Sequence, residues 1–600
     1  MLNPNEDRLD YGQMLSPPEG FRLDFAVGTT YSLDLDALVG VSIALGLSEE
    51  TDSDLMRNPI CLLEALRSVG DKVALFCEAG QIHMPNSVTP LYVLLEKMVF
   101  QVLMPKRREI ARYPSFHPKF WLIRYENKAG DILYRVAVLS RNLTFDRSWD
   151  VTFAMDGQMI RGERLDKNAP VADFLFALSK TLPETAQEKK RKIFQMIREL
   201  PFVPFQLNSR EFQDFEFLPV GVHKKDGGFY DMGKTPLFQE AFQELMIMSP
   251  FLSGGVIRDF NDRWNSRRNP QYLMITRDSS LNRLKTEDCD HFQIYTLKDA
   301  VVDGESAISE DGTHAAKQDI HAKVYMTRNG TSADLYLGSL NASHNAISGN
   351  VEFMICLHSR SKYLNLEQLK NQLFCGSDDR LNPFQPAQPG TGEEDTEPKL
   401  DQVFKDLARN HPTAYAEECG EGYDLTVQLG TLETEYQVRI APLPIKATVP
   451  IAETVLFTGL SALQLTEFYR VTVSDGEFSQ SRVLMIPTSG MPEDREKRII
   501  SSVVNNKSNF YYYVSFLLGD SFALSTMDAD AILGRGNGGT VHSADLLPPL
   551  YEKMLRTAAE DPERLREIDY LLKAVAKDGV VPERFEELYN TFKKAVKLDD

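Results

Sequence analysis

Cysteine is scarce in this sequence. Six cysteines are spread over 600 residues, and no two of them form a Cys-x-x-Cys pair. Structural zinc sites and disulfide frameworks draw on closely spaced cysteines. The composition therefore argues against both kinds of site and fits a protein of the reducing cytoplasm.

Long apolar segments are also missing, and no leader sequence is expected. No apolar run approaches the length of a transmembrane helix. Residues 1–7 are polar and partly acidic, so no signal peptide is predicted. With 42% hydrophobic residues, the chain has ample material for packed cores. We expect a soluble, multidomain, cytoplasmic protein without a membrane partner.

A net positive charge is absent, because the formal charge is −20 at pH 7. Total charge is a poor guide to a local site, however. Residues 101–130 contain seven basic and two acidic side chains around an apolar, strand-like run. Four of the basic residues predict a patch that contacts substrate phosphates, unless they form an ordinary solvated loop. They are Lys106, Arg107, Arg108 and Arg112.

One short pattern occurs twice. His117-Pro118-Lys119 leads into an apolar run, which is followed by a turn, a second apolar run and Ser140-Arg141-Asn142. His321-Ala322-Lys323 is followed in the same way by Ser339-Leu340-Asn341. On a strand, residues two apart point to the same side, so each His and Lys share one face. The Asn reaches that face if the two strands pair. Each copy therefore predicts half of a site, with an imidazole, an ammonium and a carboxamide.

This duplication resembles the phospholipase D superfamily, in which two His-x-Lys…Asn half-sites meet in one cleft. The motif form is closest to the nuclease and tyrosyl-DNA phosphodiesterase branch. Asn142-Leu143 and Trp149-Asp150 look like the Asn-Leu…Asp-Trp run of that branch. The phospholipid-cleaving members usually have an Asp five residues after the Lys, where this chain has Arg124 and Arg328.

The resemblance implies phosphodiester cleavage without a metal or another cofactor, through a phosphohistidine. One neutral His attacks phosphorus, and the other protonates the leaving oxygen and then activates water. By resemblance, His117 is assigned as the nucleophile and His321 as the acid and base. Ser140 and Ser339 are predicted to contact the substrate. The groups predicted to hold the phosphoryl oxygens are Lys119, Lys323, Asn142 and Asn341.

An acidic residue follows the second motif. Glu352 could orient the imidazole of His117 or of His321 through the second ring nitrogen. Aligning Val351-Glu352-Phe353 with Val151-Thr152-Phe153 places Thr152 at the matching position of the first copy. The two halves are therefore expected to differ chemically.

Strand-like runs alternate with helix-like periodicity around both motifs. This predicts an α/β fold in which two similar phospholipase D-like α/β/α halves pack around one cleft. A β-rich and then a helical C-terminal region are expected to follow. The predicted divisions are a polar lead-in (1–20), a first half (21–200), a second half (201–375), a flexible acidic linker (376–399), a small β-sandwich-like domain (400–490) and a helical domain (491–600).

DNA is the favoured substrate, because the motif form, the basic approach and the lack of a membrane-seeking segment all point to nucleic acid. The alternatives are a phospholipase acting on phosphatidyl head groups and a catalytically weak nucleic-acid-binding or scaffold subunit. A compact nuclease followed by a linker and a partner-sized module resembles the effectors of bacterial antiviral defence systems. By that analogy, residues 400–600 would bind a helicase or an ATPase.

Phosphodiester cleavage is expected to continue in excess EDTA, because no carboxylate cluster suited to Mg²⁺ accompanies the motifs. The measurement compares cleavage of DNA, RNA and phosphatidylcholine in parallel, each with and without the chelator. Activity that is lost on chelation and restored by Mg²⁺ or Mn²⁺ would contradict the predicted mechanism.

Overall fold

A computed structural model describes most of the chain. The described residues are 11–46, 58–106, 113–146, 148–162, 164–266, 269–298, 319–376, 382–390, 400–518, 550–560, 565–575, 579–582 and 585–595. They divide into two compact units. The first is formed by described residues within 1–37, 72–83 and 98–408, and the second by those within 38–71, 84–97 and 409–600. Both histidine motifs lie in the first unit.

The first sheet has six strands. They are β1 (Phe21–Thr30), β2 (Val73–Glu78), β3 (Val99–Val102), β4 (Phe120–Asn127), β5 (Ile132–Leu139) and β6 (Thr152–Gln158). Their order in the sheet is β3-β2-β1-β4-β5-β6. Strands β1, β2 and β3 are parallel to one another, whereas β4, β5 and β6 pair in antiparallel fashion. Strand β2 is buried along its whole length, as expected for a strand covered on both faces.

The second sheet repeats this plan with a strand added at each edge. Its strands are β7 (Phe212–Val220), β8 (Glu244–Met248), β9 (Gln271–Ile275), β10 (Phe292–Leu297), β11 (Val324–Asn329), β12 (Ser332–Gly338), β13 (Glu352–Arg360) and β14 (Phe384–Pro386). Their order is β7-β13-β12-β11-β8-β9-β10-β14. Strands β8 to β13 match β1 to β6 in order and direction. The predicted α/β fold with two similar halves is confirmed.

Strand β14 lies inside the segment that was predicted to be a flexible linker. It pairs with β10, and the ring of Phe384 is buried against Trp149 and Phe374. The buried side chain of Phe384 therefore holds part of a Pro- and Gly-rich segment against the sheet. Residues 377–381 and 391–399 of the predicted linker lie outside the described residues.

Helices connect and cover the strands. The helices of the described residues are α1 (Tyr11–Leu15), α2 (Leu35–Gly46), α3 (Pro59–Gly70), α4 (Ala169–Ser179), α5 (Gln187–Glu199), α6 (Pro236–Gln239), α7 (Gly254–Asp262), α8 (Asp278–Leu281), α9 (Leu366–Leu373), α10 (Leu400–Arg409), α11 (Arg495–Val503), α12 (Lys507–Leu517), α13 (Leu550–Glu560), α14 (Leu565–Val575) and α15 (Phe585–Ala595). None of these helices combines the length and the apolar character that crossing a bilayer requires.

The two sheets share one hydrophobic core. Phe120 at the start of β4 packs 4.4 Å from Phe353 of β13, between ring centroids, and Phe174 of α4 packs against both rings. All three side chains are fully buried. Because Phe120 follows Lys119 and Phe353 follows Glu352, this aromatic cluster fixes the strand ends that carry the polar residues of the motifs.

The segments that precede the two histidines are exchanged between the halves. Phe116 forms a parallel β-bridge with Val351, and the His117 N–H donates to the Val351 carbonyl at 2.9 Å. Residues 319–320 likewise pair with residues 148–149, and the His321 N–H donates to the Trp149 carbonyl at 3.0 Å. Each half therefore positions the histidine of the other half.

The second unit contains a β-rich region and then helices. Its longer strands are β15 (Thr413–Cys419), β16 (Gly422–Gln428), β17 (Gln437–Pro442), β18 (Thr454–Leu460), β19 (Phe468–Ser474) and β20 (Ser479–Met485). Strand β16 pairs with β15 and β18, and β19 pairs with β17 and β20. Helices α11 to α15 follow, which confirms the predicted order of a β-rich and then a helical C-terminal region.

Two glycines near the second motif predict different costs of substitution. Gly338 ends β12 with φ +148°, and a Cβ there would lie 2.3 Å from the Phe353 carbonyl oxygen. Gly330, in the turn between β11 and β12, has φ +60° and nothing within 4 Å of an added Cβ. Gly338→Ala should lower the free energy of unfolding by about 3 kcal/mol, because strain and overlap add. Gly330→Ala should cost about 1 kcal/mol. Urea denaturation of both variants checks this, and equal small losses would contradict it.

Candidate active site

The first His-x-Lys motif forms a buried cluster at the start of β4. His117 is only slightly exposed, and its ring lies 5.0 Å from the ring of Tyr31, between centroids. Lys119 is fully buried, and its ammonium donates to the His117 carbonyl at 2.9 Å. The strand itself begins after the lysine, so both side chains stand on the extended segment that leads into β4.

The second motif repeats this arrangement at the start of β11. Lys323 is fully buried, and its ammonium donates to the His321 carbonyl. His321 is nearly buried as well. The charges of Lys119 and Lys323 act on both imidazoles, so the two motifs form one cluster. The structure therefore brings together the histidines and lysines that the sequence predicts.

The imidazole of His117 is oriented by the other half of the molecule. Its Nδ1 lies 2.8 Å from Glu352 Oε2, on the first residue of β13. Glu352 is fully buried and also accepts hydrogen bonds from Ser339 Oγ and Asn350 Nδ2. Of the two imidazoles that Glu352 could orient, the structure selects His117.

Asp150 orients the imidazole of His321 in the same way, and aligning the two motif copies by sequence did not reveal it. Asp150 Oδ1 lies 3.2 Å from His321 Nδ1, and it also accepts a hydrogen bond from Ser140 Oγ at 2.8 Å. The prediction that Thr152 corresponds to Glu352 is wrong. In the sheets Leu139 pairs with Thr152, and Gly338 pairs with Met354, so Thr152 corresponds to Met354.

The loop length explains why Asp150 was missed. Ser140 and Asp150 are 10 residues apart, whereas Ser339 and Glu352 are 13 residues apart. Matching the letters Val-x-Phe in the two copies shifts the alignment out of the strand register. The acidic residues of the two halves therefore match in position, but one is an Asp and the other a Glu, so the expected chemical difference remains.

Ser140 and Ser339 are buried supports and do not face a substrate. Ser140 Oγ accepts from the Val151 N–H and donates to Asp150, and Ser339 Oγ accepts from the Phe353 N–H and donates to Glu352. Both serines are fully buried. The prediction that these serines contact the substrate is wrong, because their hydroxyl groups are hydrogen-bonded to the carboxylates of Asp150 and Glu352.

These serines determine which nitrogen of each imidazole carries the proton. Each hydroxyl accepts a hydrogen bond from a backbone N–H and so donates its own O–H to the carboxylate. The same carboxylate oxygen then accepts a second hydrogen bond, from the imidazole Nδ1–H. Where the carboxyl group is ionised, this arrangement holds the neutral imidazole as the Nδ1–H tautomer, with the lone pair on Nε2.

The lysines and asparagines supply an anion-binding environment. Burial lowers the pKa of Lys323 to about 7. Burial and the charge of Lys323 lower the pKa of Lys119 well below its ordinary value. Asn142 Oδ1 accepts a weak hydrogen bond from the Ser32 N–H, whereas Asn341 Oδ1 is buried without a hydrogen-bond partner among the described residues. Two buried cations that repel each other favour an anion between them.

The two carboxyl groups differ in their protonation. Burial raises the pKa of Glu352 to about 8. Burial also opposes the ionisation of Asp150, but hydrogen bonds from His321 and Ser148 outweigh it and lower the pKa of that carboxyl. Burial and the neighbouring lysines lower the pKa of His117 well below its ordinary value, and that of His321 to about 4. Both imidazoles are therefore neutral at pH 7 in the free protein.

A second ring of side chains supports each histidine, and the sequence did not predict it. Glu78 Oε2 accepts from the Phe116 N–H at 2.7 Å, and its other oxygen lies 3.1 Å from the Lys405 ammonium of α10. In the second half, Arg277 Nε donates to the Ile320 carbonyl at 2.7 Å. Thus a carboxylate steadies the residue before His117, and a guanidinium steadies the residue before His321.

The remaining predicted residues lie elsewhere. Lys106 is exposed, with its ammonium 5.7 Å from the centre of the Tyr113 ring. Arg107, Arg108 and Arg112 lie outside the described residues, so the phosphate-contacting patch stays a prediction.

The arginines that lie five residues after the two motif lysines form ion pairs within the fold. Arg124 forms ion pairs with Glu199 and Asp24, and Arg328 forms an ion pair with Glu244. Neither guanidinium belongs to the histidine cluster.

One group of side chains outside this cluster has the composition of a metal site. Ligand atoms of Asp334, Cys356 and His358 lie within 4.8 Å of one another on β12 and β13. His358 Nδ1 hydrogen-bonds to Asp334 Oδ1 at 2.7 Å, so the group is already satisfied internally.

Comparison with known proteins returns similar structures only. No protein-family model matches the sequence, and no curated protein matches it. The chain is similar to solved structures that include members of the phospholipase D superfamily, which the paired motifs resemble. Yeast tyrosyl-DNA phosphodiesterase is 14% identical, covering 58% of this chain and 85% of that chain, with a TM-score of 0.35.

Two further structures are similar at the same level. Phosphatidylserine synthase of Haemophilus influenzae is 10% identical, covering 66% of this chain and 94% of that chain, with a TM-score of 0.31. Polyphosphate kinase of Porphyromonas gingivalis is 11% identical, covering 66% of this chain and 50% of that chain, with a TM-score of 0.32. None of these matches assigns a role to a residue of this chain.

Binding of inorganic phosphate at pH 7.5 should take up about one proton per site. The pKa of Lys323 and of Lys119 is lowered in the free protein, and a bound anion raises it again, so protons are taken up and not released. Calorimetry in two buffers of different ionisation enthalpy measures the number. Lys128→Ala, in the exposed turn after β4, serves as the control and should not change it. Proton release, or no proton exchange, would contradict the account of the site.

Proposed function

We propose that this protein is a metal-independent phosphodiesterase that cleaves DNA through a phosphohistidine intermediate. The observation that carries the proposal is the pair of imidazoles, each held by a carboxylate through Nδ1 and each influenced by two buried lysines. A phosphodiester repels nucleophiles because its oxygens are negative, and a buried pair of cations offsets that repulsion.

In the first step, His117 Nε2 attacks phosphorus while the bond to the leaving oxygen breaks. His321 gives its Nε2 proton to that oxygen. Lys119, Lys323 and the amides of Asn142 and Asn341 stabilise the equatorial oxygens of the five-coordinate phosphorus. In the second step, His321 takes a proton from water, the water oxygen bonds to phosphorus, and the bond from phosphorus to His117 breaks.

The assignment of roles has its own support in the electrostatics. The lowered pKa of Asp150 keeps its carboxyl group ionised, and this negative charge stabilises the imidazolium form of His321. The general acid of the first step must pass through that form. Glu352, whose pKa burial raises, stabilises an imidazolium at His117 less well. Because His321 is neutral in the free protein, the negative charge of the bound phosphodiester must raise its pKa before it can act as the acid.

We place this activity in a bacterial antiviral defence system, with residues 400–600 binding a helicase or an ATPase. Support comes from the described part of residues 409–600, which belongs to the second compact unit, carries no His-x-Lys motif and follows both motifs in the chain. A partner-binding role would account for such a unit.

When the His321→Ala protein is given an aryl phosphodiester as substrate, a phosphoryl adduct should accumulate on the protein. The good leaving group of such a substrate needs little protonation. The first step then proceeds, while the second lacks its base. The adduct should be acid-labile and base-stable, and it should map by mass spectrometry to the peptide that contains His117.

His117→Ala is the matched control, and it should form no adduct. An adduct on His321 in that variant would exchange the two roles but keep the chemistry. Full activity of either variant on DNA would show that this cluster is not the active site.

A further inference from the structure

The two half-sites share their histidine, lysine, asparagine and acidic residue, but their rims differ. Thr30 Oγ1 accepts from the N–H after Asn142, and Ser249 Oγ accepts from the N–H after Asn341. Thr30 and Ser249 therefore occupy equivalent positions, and so do the residues two places later, Ser32 and Phe251. Ser32 is buried, whereas the ring of Phe251 is 45% exposed.

Phe251 lies at the edge of the His321 half-site. Its neighbour Leu252 forms a β-bridge with Ala342, the residue after Asn341. The Arg277 guanidinium lies 5.0 Å from the centre of the Phe251 ring, and the same side chain donates to the carbonyl before His321. The ring thus lies near the backbone segments that carry His321 and Asn341, and it stays open to solvent.

A second exposed ring lies on the loop that supplies Asp150. Phe145 is 62% exposed, and its N–H donates to Asp34 Oδ2 at 2.9 Å. Arg141 donates to the carbonyls of Thr144 and Asp146 and so holds the loop on both sides of this phenylalanine. The charge of Asp146 acts on Arg277, which places this loop near the guanidinium that contacts Phe251. Phe145 is therefore exposed to solvent on a well-supported loop that lies near Arg277.

We propose that Phe251, backed by Arg277, is a stacking surface for the nucleobase next to the scissile phosphate on the leaving-group side. Phe145 borders the same subsite. The assignment rests on the proposed function, because His321 is the acid there and protonates the leaving oxygen. A rigid exposed ring over a guanidinium is a platform that any planar base can use.

The charges at this rim favour a base over a lipid surface. The carboxylates of Asp34, Asp146 and Asp319 border the two rings, and Asp319 pairs with Arg277 at 2.9 Å. Anionic head groups would be repelled by these carboxylates. An uncharged base is not repelled, and its amino groups can donate to them.

The experiment measures cleavage of three thymidine dinucleotides by the full chain and by Phe251→Ala. One dinucleotide has both bases, and the other two lack the base on one side or on the other of the phosphate. For the complete dinucleotide, Phe251→Ala should raise KM about tenfold with kcat within about twofold, since stacking contributes to binding of both ground and transition states. On the dinucleotide that lacks the leaving-side base, the wild-type protein and Phe251→Ala should have the same KM.

Two control variants separate stacking from a general disturbance. Phe251→Tyr keeps a ring and should restore the wild-type KM. Phe478→Ala removes an exposed phenylalanine of the β-rich region and should change neither constant. An unchanged KM in Phe251→Ala, or an equal loss on all three dinucleotides, would overturn the subsite.

Two further experiments distinguish a wrong subsite proposal from a wrong proposed function and from lipid binding. Cleavage of bis(p-nitrophenyl) phosphate by the wild-type protein establishes the phosphodiesterase activity independently of Phe251, and its absence would defeat the proposed function itself. Phosphatidylglycerol vesicles, whose head groups are anionic, test the lipid alternative by sedimentation. Vesicle binding that is lost in Phe251→Ala, with an unchanged KM for dinucleotides, would overturn the nucleobase proposal in favour of a membrane contact.

Discussion

The candidate site depends on a crossed pair of hydrogen bonds between carboxylate and imidazole. Glu352 of the second half orients His117 of the first, and Asp150 of the first half orients His321 of the second. The backbone pairings of residues 116 and 319–320 are crossed in the same way. Neither half contains a complete histidine environment, so the site exists only when both sheets close on their shared core.

Within this symmetric frame, the departures from symmetry give the two histidines different properties. The site pairs an acidic residue of raised pKa with His117 and one of lowered pKa with His321. Around them, the Glu78–Lys405 ion pair stands where the second half has Arg277, and Ser32 stands where it has Phe251. Successive proton transfer needs two groups with different pKa values. Here two histidines acquire different pKa environments because their partner carboxyl groups differ in pKa.

The sequence was sufficient for the residues whose type and spacing repeat. His117, Lys119, His321 and Lys323 meet as predicted, and the alternation of apolar runs predicted the two sheets. It was insufficient wherever loop length breaks the repeat, as it does before Asp150. Nor could it predict Lys405, because a contact between distant helix and strand residues leaves no periodic signal. The hydroxyl groups of Ser140 and Ser339 were misassigned, since a motif shows which residues recur and not which neighbour each one bonds.

The crossed pairing is tested most directly by the tautomers of the two histidines. Histidine-selective ¹⁵N labelling, with assignment by single substitution, should show a protonated Nδ1 and a pyridine-type Nε2 for both His117 and His321 in the free protein at pH 9, where both carboxyl groups are ionised. Asp150→Asn should then shift the ¹⁵N signals of His321 and leave those of His117 in place, while Glu352→Gln should do the reverse. An Nε2–H tautomer at either histidine, or a response of the histidine in the same half as the substitution, would contradict the account.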